Sequence, residues 1–176
     1  MNIKQLPIGK KSPEVVNVII EIPRGSHNKY EYDEELDIIK LDRVLYSPVH
    51  YPTNYGFIPE TRSDDGDHLD LMALCTNPLF PGCVVEARPI ALMKMIDNGE
   101  EDFKILGVVA NDPRYAHVKT LEDVNNLNPM LTDEIAHFFE MYKKLEKKET
   151  QILGWENHAS ALEEIKRAYE AFKSKG

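Results

Sequence analysis

Through the first two thirds of the chain, apolar residues come in short, β-branched runs cut by Pro, Gly, Asn and Asp. Runs of that kind read as strands, and the candidates are Val15–Ile22, Tyr30–Tyr32, Ile38–Leu41, Asp70–Leu74, Val84–Ile96 and Phe103–Ala110. Beyond Lys119 the period changes. Ile135, Phe138, Phe139, Tyr142 and Leu145 recur at helical spacing, as do Leu162, Ile165, Tyr169 and Phe172, so two amphipathic helices close the chain. Thr132, followed by Asp133 and Glu134, suits a helix N-cap, and Asn157 suits the cap of the last helix. Strands first and helices last predict an α+β fold with a mainly β core. No long helix separates the strands to cover them, so closing the sheet into a barrel is the best way to remove its edges. With no repeat or linker in 176 residues, one domain spanning 1–176 is expected.

Charge narrows the choice of partner. The chain carries 21 Lys+Arg against 30 Asp+Glu, a formal charge of −9, which offers no basic field for nucleic acid or an anionic membrane. An anionic substrate must therefore be held by local cations. Cys75 and Cys83 form neither a CxxC metal pattern nor a disulfide framework, which points to a reducing cytoplasm. No run approaches the ~18 apolar residues of a membrane span, and the N-terminus lacks a secretory pattern, so a cytoplasmic protein is expected.

The densest chemistry lies in Asp64-Asp65-Gly66-Asp67-His68-Leu69-Asp70, four acids leading into the apolar run Leu71–Leu74. In an extended chain Asp65 and Asp67 point the same way, and Asp70 joins them across a bend. Two carboxylates ~4 Å apart repel by roughly 4 kcal/mol at an effective dielectric of about 20, or about three pK units. Such a cluster needs cations, and hard divalent ions with oxygen ligands answer the need. A solvated acidic turn would look the same in isolation. A second acidic site weighs against it: Asp97-Asn98-Gly99-Glu100-Glu101-Asp102 has the Asn-Gly signal of a hairpin, which brings Asp97 near Asp102 and sets Lys104 on the face of Asp102. An EF-hand register fails, since its glycine falls on Asp70 and its terminal glutamate on Thr76. GxxxxGK[ST], GxGxxG and HExxH are absent as well.

Cationic and phenolic candidates complete the set. Lys29 and Glu31 share one face of a strand, where one could hold a phosphate oxygen while the other faces a metal or its water. Arg43 follows Leu41-Asp42, and Tyr51–Pro59 is a tyrosine-rich segment stiffened by two prolines and a glycine. Tyr142 and Lys143 sit at the edge of a helical apolar stripe. The six histidines show no ligand spacing and read as scattered surface or packing residues.

Taken together, Glu21-Ile22-Pro23, Asn28–Glu31, Leu41–Arg43, Tyr51–Pro59, Asp65–Leu71, Asp97–Lys104, Phe138–Lys143 and Gly154–Asn157 resemble a family I soluble inorganic pyrophosphatase of the bacterial type. The family signature is Asp-x-Asp-Pro/Glu-apolar-Asp, from which His68 departs; altered loop rigidity or pH sensitivity is expected there, with activity retained. The segment from Leu145 to Gly154 departs too, with Glu149 near a position usually aromatic, which leaves the rim and any role of Lys148 open.

The resemblance implies a closed five-stranded OB-like β-barrel with helices packed on it. It also implies a homohexamer, and several Mg²⁺ ions, with Mn²⁺ as a substitute, around one pyrophosphate. By carry-over Asp65, Asp70 and Asp102 ligate the tighter metal, Asp70 also contributes to its neighbour, and Asp97 with Asp102 recruits metal arriving with substrate. Glu21 and Glu31 hold metal-bound waters. Lys29, Arg43, Tyr55, Lys104, Tyr142 and Lys143 bind phosphate, with Tyr51 and Asp42 in support. The expected mechanism is two-metal hydrolysis without a covalent intermediate, Asp67 orienting the attacking water and accepting its proton. An oligonucleotide-binding OB module and an enzyme for another phosphoanhydride, such as a nucleoside triphosphate, are the alternatives.

Overall fold

The computed structural model describes residues 2–175. Strands β1 (Val16–Ile22), β2 (Asn28–Asp33), β3 (Ile38–Val44), β4 (Asn54–Phe57), β5 (Asp70–Leu74), β6 (Val84–Asp97), β7 (Glu100–Glu101) and β8 (Lys104–Val109) come first. Helices α1 (Leu121–Leu127) and α2 (Leu131–Met141) precede β9 (Thr150–Glu156), and α3 (His158–Lys175) ends the described chain.

Five strands form a ring. β1 pairs with β4, β4 with β5, β5 with β8, β8 with β6, and β6 returns to β1. This is the expected closed, OB-like barrel in an α+β fold. Closure depends on β6, whose 14 residues reach β1 through Val84–Ala87, β8 through Ala87–Met93, and β7 and β9 at the far end. Its bulge falls between Pro89 and Ala91. Proline cannot donate to a ladder and is tolerated at bulges, which also bend the strand. β4 lies so close to β1 that a Cβ on Gly56 would stand 1.9 Å from the Ile19 carbonyl oxygen, so only glycine fits. The one parallel ladder of the ring, β5 with β8, starts both strands at the same end of the barrel.

Alternation divides most apolar residues of the ring between two clusters, while Ile19 and Phe57 pack with Ile3 in a third. Leu71, Ala73 and Ile105 pack with Ala161, Ile165 and Ala168 of α3, whereas Met72, Leu74, Leu106 and Val108 pack with Ile135, Phe138 and Phe139 of α2. The β2–β3 hairpin is a separate two-stranded sheet. No described helix is long and apolar enough to cross a membrane.

Several expectations need correction. β4 and β9 are strands that the hydrophobic pattern did not announce, and β9 separates the two long helices. Thr132 does not cap α2. Met130 occupies that position without a side-chain cap, and Thr132, one residue into the helix, bonds Asn125 Oδ1 at 3.1 Å. Asn157 does serve α3, accepting from the Ser160 amide at 3.2 Å. The Asn98-Gly99 hairpin also forms, with φ of 51° and 90° at its two turn residues.

Candidate active site

The acid run is a tight turn between β4 and β5, so the expectation of an extended Asp65–Asp67 segment is corrected. Gly66 takes a φ of +92°, and Asp65 Oδ1 accepts the Asp67 amide at 3.0 Å. This side chain-to-backbone turn is one that aspartate favours. Thr61 fastens the loop base, donating to the Ile58 carbonyl at 2.5 Å and accepting from the Leu69 amide at 2.9 Å. Asp70 then opens β5, where the parallel register places it opposite Lys104.

Lys104 is the buried centre of the site. Its ammonium lies 2.8 Å from Asp70 Oδ2, 2.7 Å from Asp102 Oδ1 and 3.0 Å from the Tyr55 hydroxyl, with 2% of the side chain exposed. Burial pulls its pKa down, but Asp102 and Asp70 overcome that and hold the ammonium well above its usual range. Tyr55 donates to Asp70 in turn. Burial, then the charge of Asp70, pushes the Tyr55 phenol well above its usual value, and burial also raises Tyr51 and Tyr142. All three are therefore fixed as neutral hydroxyls.

A second pair closes the opposite side. Lys143, just beyond α2, bonds Asp97 at the end of β6, and the Tyr142 hydroxyl reaches the same Asp97 oxygen at 3.4 Å. The other oxygen, Asp97 Oδ1, is buried with no partner. On β2, Lys29 bonds Glu31 and lies 3.7 Å from Asp42. Glu21 on β1 accepts the Tyr32 amide at 2.7 Å. Burial, and then Asp70, pushes its carboxyl up to about 8. Asp65 and Asp67 are raised as well, first by burial and then by neighbouring acids.

These groups line one cleft of about 320 Å³, in which eight acidic side chains face three lysines, Lys29, Lys104 and Lys143. That imbalance is the chief electrostatic property of the site. Among the described residues no three His, Cys, Asp or Glu groups already form a metal cage. The acids instead surround an open space.

A family model described as inorganic pyrophosphatase matches residues 18–173. The chain belongs to the family I inorganic pyrophosphatases. An inorganic pyrophosphatase of Nostoc is 52% identical over 173 residues, spanning 98% of this chain and 100% of the relative. The crystal structure of the Thermus thermophilus inorganic pyrophosphatase superposes with a TM-score of 0.93 at 48% identity, covering 98% of this chain and 99% of that one. That of Helicobacter pylori does so with a TM-score of 0.89 at 35% identity, over 96% and 99%.

Of the residues that the pyrophosphatase resemblance nominated, Glu21, Lys29, Glu31, Tyr55, Asp65, Asp67, Asp70, Asp97, Asp102, Lys104, Tyr142 and Lys143 line the cleft, as does Tyr51. Arg43 does not. It lies opposite Lys29 in the β2–β3 register, with Nη1 2.5 Å from Asp42, Nε 3.0 Å from Glu146, and Nη2 buried without a partner. Glu34, His68 and Phe139 line the cleft without having been nominated. His68, read as a scattered surface or packing residue, stacks on Phe57. Burial and then the Arg62 guanidinium lower its pKa, while Glu34 acts the other way. Helical spacing marked Phe139 as apolar, but Glu34 carried no local signal.

Proposed function

We propose that the chain hydrolyses inorganic pyrophosphate to two orthophosphates, without a covalent intermediate and with several Mg²⁺ ions. What carries the reading is the imbalance of eight acids to three lysines in one cleft of a pyrophosphatase-family fold. The donor set fits hard divalent ions: every candidate ligand is a carboxylate, Asp97 Oδ1 is buried without a partner, and burial and then Asp70 push Glu21 up to about 8. Asp65, Asp70, Asp97 and Asp102 would hold the ions directly, and Glu21 and Glu31 through water. With no cage preformed, water and phosphate oxygens would complete the coordination, as suits Mg²⁺. Mn²⁺, another oxygen-seeking ion, is the expected substitute. When bound, the ions supply acidification of a water and neutralisation of phosphate charge.

The chain's own groups do the rest. Asp67 stands on the turn with its carboxyl raised by burial, Asp70 and Glu31, which moves it toward the range of an effective base. Its carboxylate orients the attacking water and accepts its proton. Lys29, Lys104 and Lys143, with the hydroxyls of Tyr55 and Tyr142, donate to phosphate oxygens from fixed positions, and Arg43 adds positive charge from the neighbouring strand. Each of the three lysines is already bonded to an acid, so substrate exchanges partners within a formed network.

Phosphate release from pyrophosphate, measured with Mg²⁺, with Mg²⁺ removed by chelator, and with ATP in place of pyrophosphate, tests the reading. Metal-dependent release that favours pyrophosphate is expected. No release with Mg²⁺ would sink it. A homohexameric assembly and a cytoplasmic location belong to the same proposal, and sedimentation checks the first.

A further inference from the structure

The cleft wall holds a contact with no part in the chemistry above. His68, between Asp67 and Asp70, stacks on Phe57 with ring centroids 4.8 Å apart and planes at 11°. Its Nδ1 is 2.9 Å from the Thr61 carbonyl, and its Nε2 is 2.9 Å from Glu34 Oε1. Arg62 touches both partners, with Nη2 3.0 Å from Glu34 Oε1 and Nη1 3.0 Å and 3.1 Å from the two ring nitrogens of His68. Glu34 belongs to the turn that joins β2 to β3. His68 thus ties the loop bearing Asp65, Asp67 and Asp70 to the hairpin bearing Lys29 and Glu31.

That tie matters because the hairpin is a sheet of its own, with no ladder to the barrel. Its placement over the cleft depends on side chains. Tyr32 provides one anchor, through its amide to Glu21 at 2.7 Å and its ring on Phe57 at 5.3 Å. Arg43 on β3 adds a second, 3.0 Å from Glu146, and Asp37 in the turn a third, accepting the Ile3 amide at 3.0 Å; the Glu34–His68 contact is the one that reaches the acid loop. We propose that His68 and Glu34 form a clasp that sets Lys29 and Glu31 against the three aspartates of the acid loop. Both are positioning residues, acting through the groups they place. The inference rests on the pyrophosphate-hydrolysis reading. A misplacement of ~1 Å between binding and reacting groups costs roughly 10²-fold in rate. A half-exposed polar contact contributes little to global stability, and Glu34 is 49% exposed. Loss of the clasp should therefore appear in turnover before it appears in folding.

The experiment compares kcat and KM for Mg²⁺-dependent phosphate release from pyrophosphate, together with Tm, in the parent, His68→Ala, Glu34→Ala, the double variant and Glu34→Gln. Each single alanine should lower kcat about tenfold with a smaller rise in KM, because Lys29 is displaced while Lys104 and Lys143 lie off the hairpin. The double variant should be no worse than the poorer single variant. Glu34→Gln, which keeps an oxygen facing the imidazole, should recover most of the loss. Parent-level kcat in Glu34→Ala, multiplicative losses in the double variant, or losses that only follow a falling Tm would each overturn the clasp. Should His68→Ala fail to fold, Glu34→Ala decides alone. A parent that releases no phosphate fails the hydrolysis reading itself, and the clasp falls with it.

Discussion

Lys104→Met removes the ammonium at the centre of the cleft while nearly keeping the side-chain volume. The parent nitrogen lies 2.8 Å from Asp70 and 2.7 Å from Asp102. Breaking a fully buried pair by deleting one partner costs about 3–5 kcal/mol, because the other charge is left uncompensated. Here Lys104 is 2% exposed, but Asp70 and Asp102 keep 26% and 18% of their surface in water. Their desolvation is incomplete, so roughly 2–4 kcal/mol of stability should be lost in metal-free buffer. For a chain of this size that corresponds to a Tm lower by about 5–15 °C.

Mg²⁺ supplies the discriminating measurement. Acids left without their lysine should recruit the ion more strongly, and ligand binding stabilises by RT ln(1 + [L]/Kd), about 2.7 kcal/mol at 100 Kd. Thermal and urea unfolding of parent and variant, with and without Mg²⁺, should show a larger Mg²⁺ increment in the variant, while phosphate release falls because a phosphate donor is gone. A variant within about 1 kcal/mol of the parent in metal-free buffer, the range of a surface pair, would refute the placement of Lys104 as a cation compensating two acids. So would equal Mg²⁺ increments.

Asp67→Asn should lower kcat by the ~10²–10⁴ typical of general-base loss, with Mg²⁺ affinity close to the parent's by titration calorimetry; unchanged turnover removes Asp67 from its role. Gly56→Ala sets a Cβ 1.9 Å from the Ile19 carbonyl oxygen, and because backbone cannot yield as a side chain does, a loss of about 3 kcal/mol or a failure to fold is expected on urea unfolding. Asp112 accepts the Thr76 amide at 2.7 Å and the Arg114 amide at 3.0 Å; despite its burial, these bonds lower its carboxyl to about 2. Its contribution is therefore full above the usual aspartate range and lost as pH falls toward 2. Asp112→Ala should cost about 1.5–3 kcal/mol at pH 7, and the gap from the parent should narrow at pH 3; a gap independent of pH would contradict the assignment.

Chemistry carried by adjacent residues was legible in the local pattern, and chemistry assembled across the chain only through the family resemblance. Asp70–Leu74 was read with its observed bounds, because a strand covered on both faces is a continuous apolar run between polar ends. β4 escaped because its four residues, all buried, neither alternate nor form such a run, and Gly56 in its middle reads as a breaker. β9 escaped because Gly154 interrupts it and none of its residues is fully buried, with Gln151 and even Leu153 exposed. Lys29 with Glu31, and Asp102 with Lys104, were found because period two alone places each pair on one face. The partners of Arg43 and His68 were invisible for the opposite reason. Glu146 meets Arg43 from beyond α2, and Glu34 meets His68 from the hairpin turn. No local pattern encodes either meeting.

Topology explains why the acids converge where they do. Because β5 and β8 run parallel, their first residues, Asp70 and Lys104, emerge at one end of the barrel. β6 runs antiparallel to β8, so it finishes at that same end with Asp97, and its return through β7 delivers Asp102. One end of a closed ring thus receives charge from three strands whose mutual positions the ladders fix. A flexible loop carrying the same acids could relax by moving them apart. Strand ends cannot, so their repulsion must be met by cations already in place, Lys104 and Lys143, or by cations still to come. The lysines are too few to offset the acids. On the proposed reading, divalent ions bound with a phosphate anion would add the positive charge that three lysines do not supply to eight acids, which would let a chain of formal charge −9 take up a polyanion.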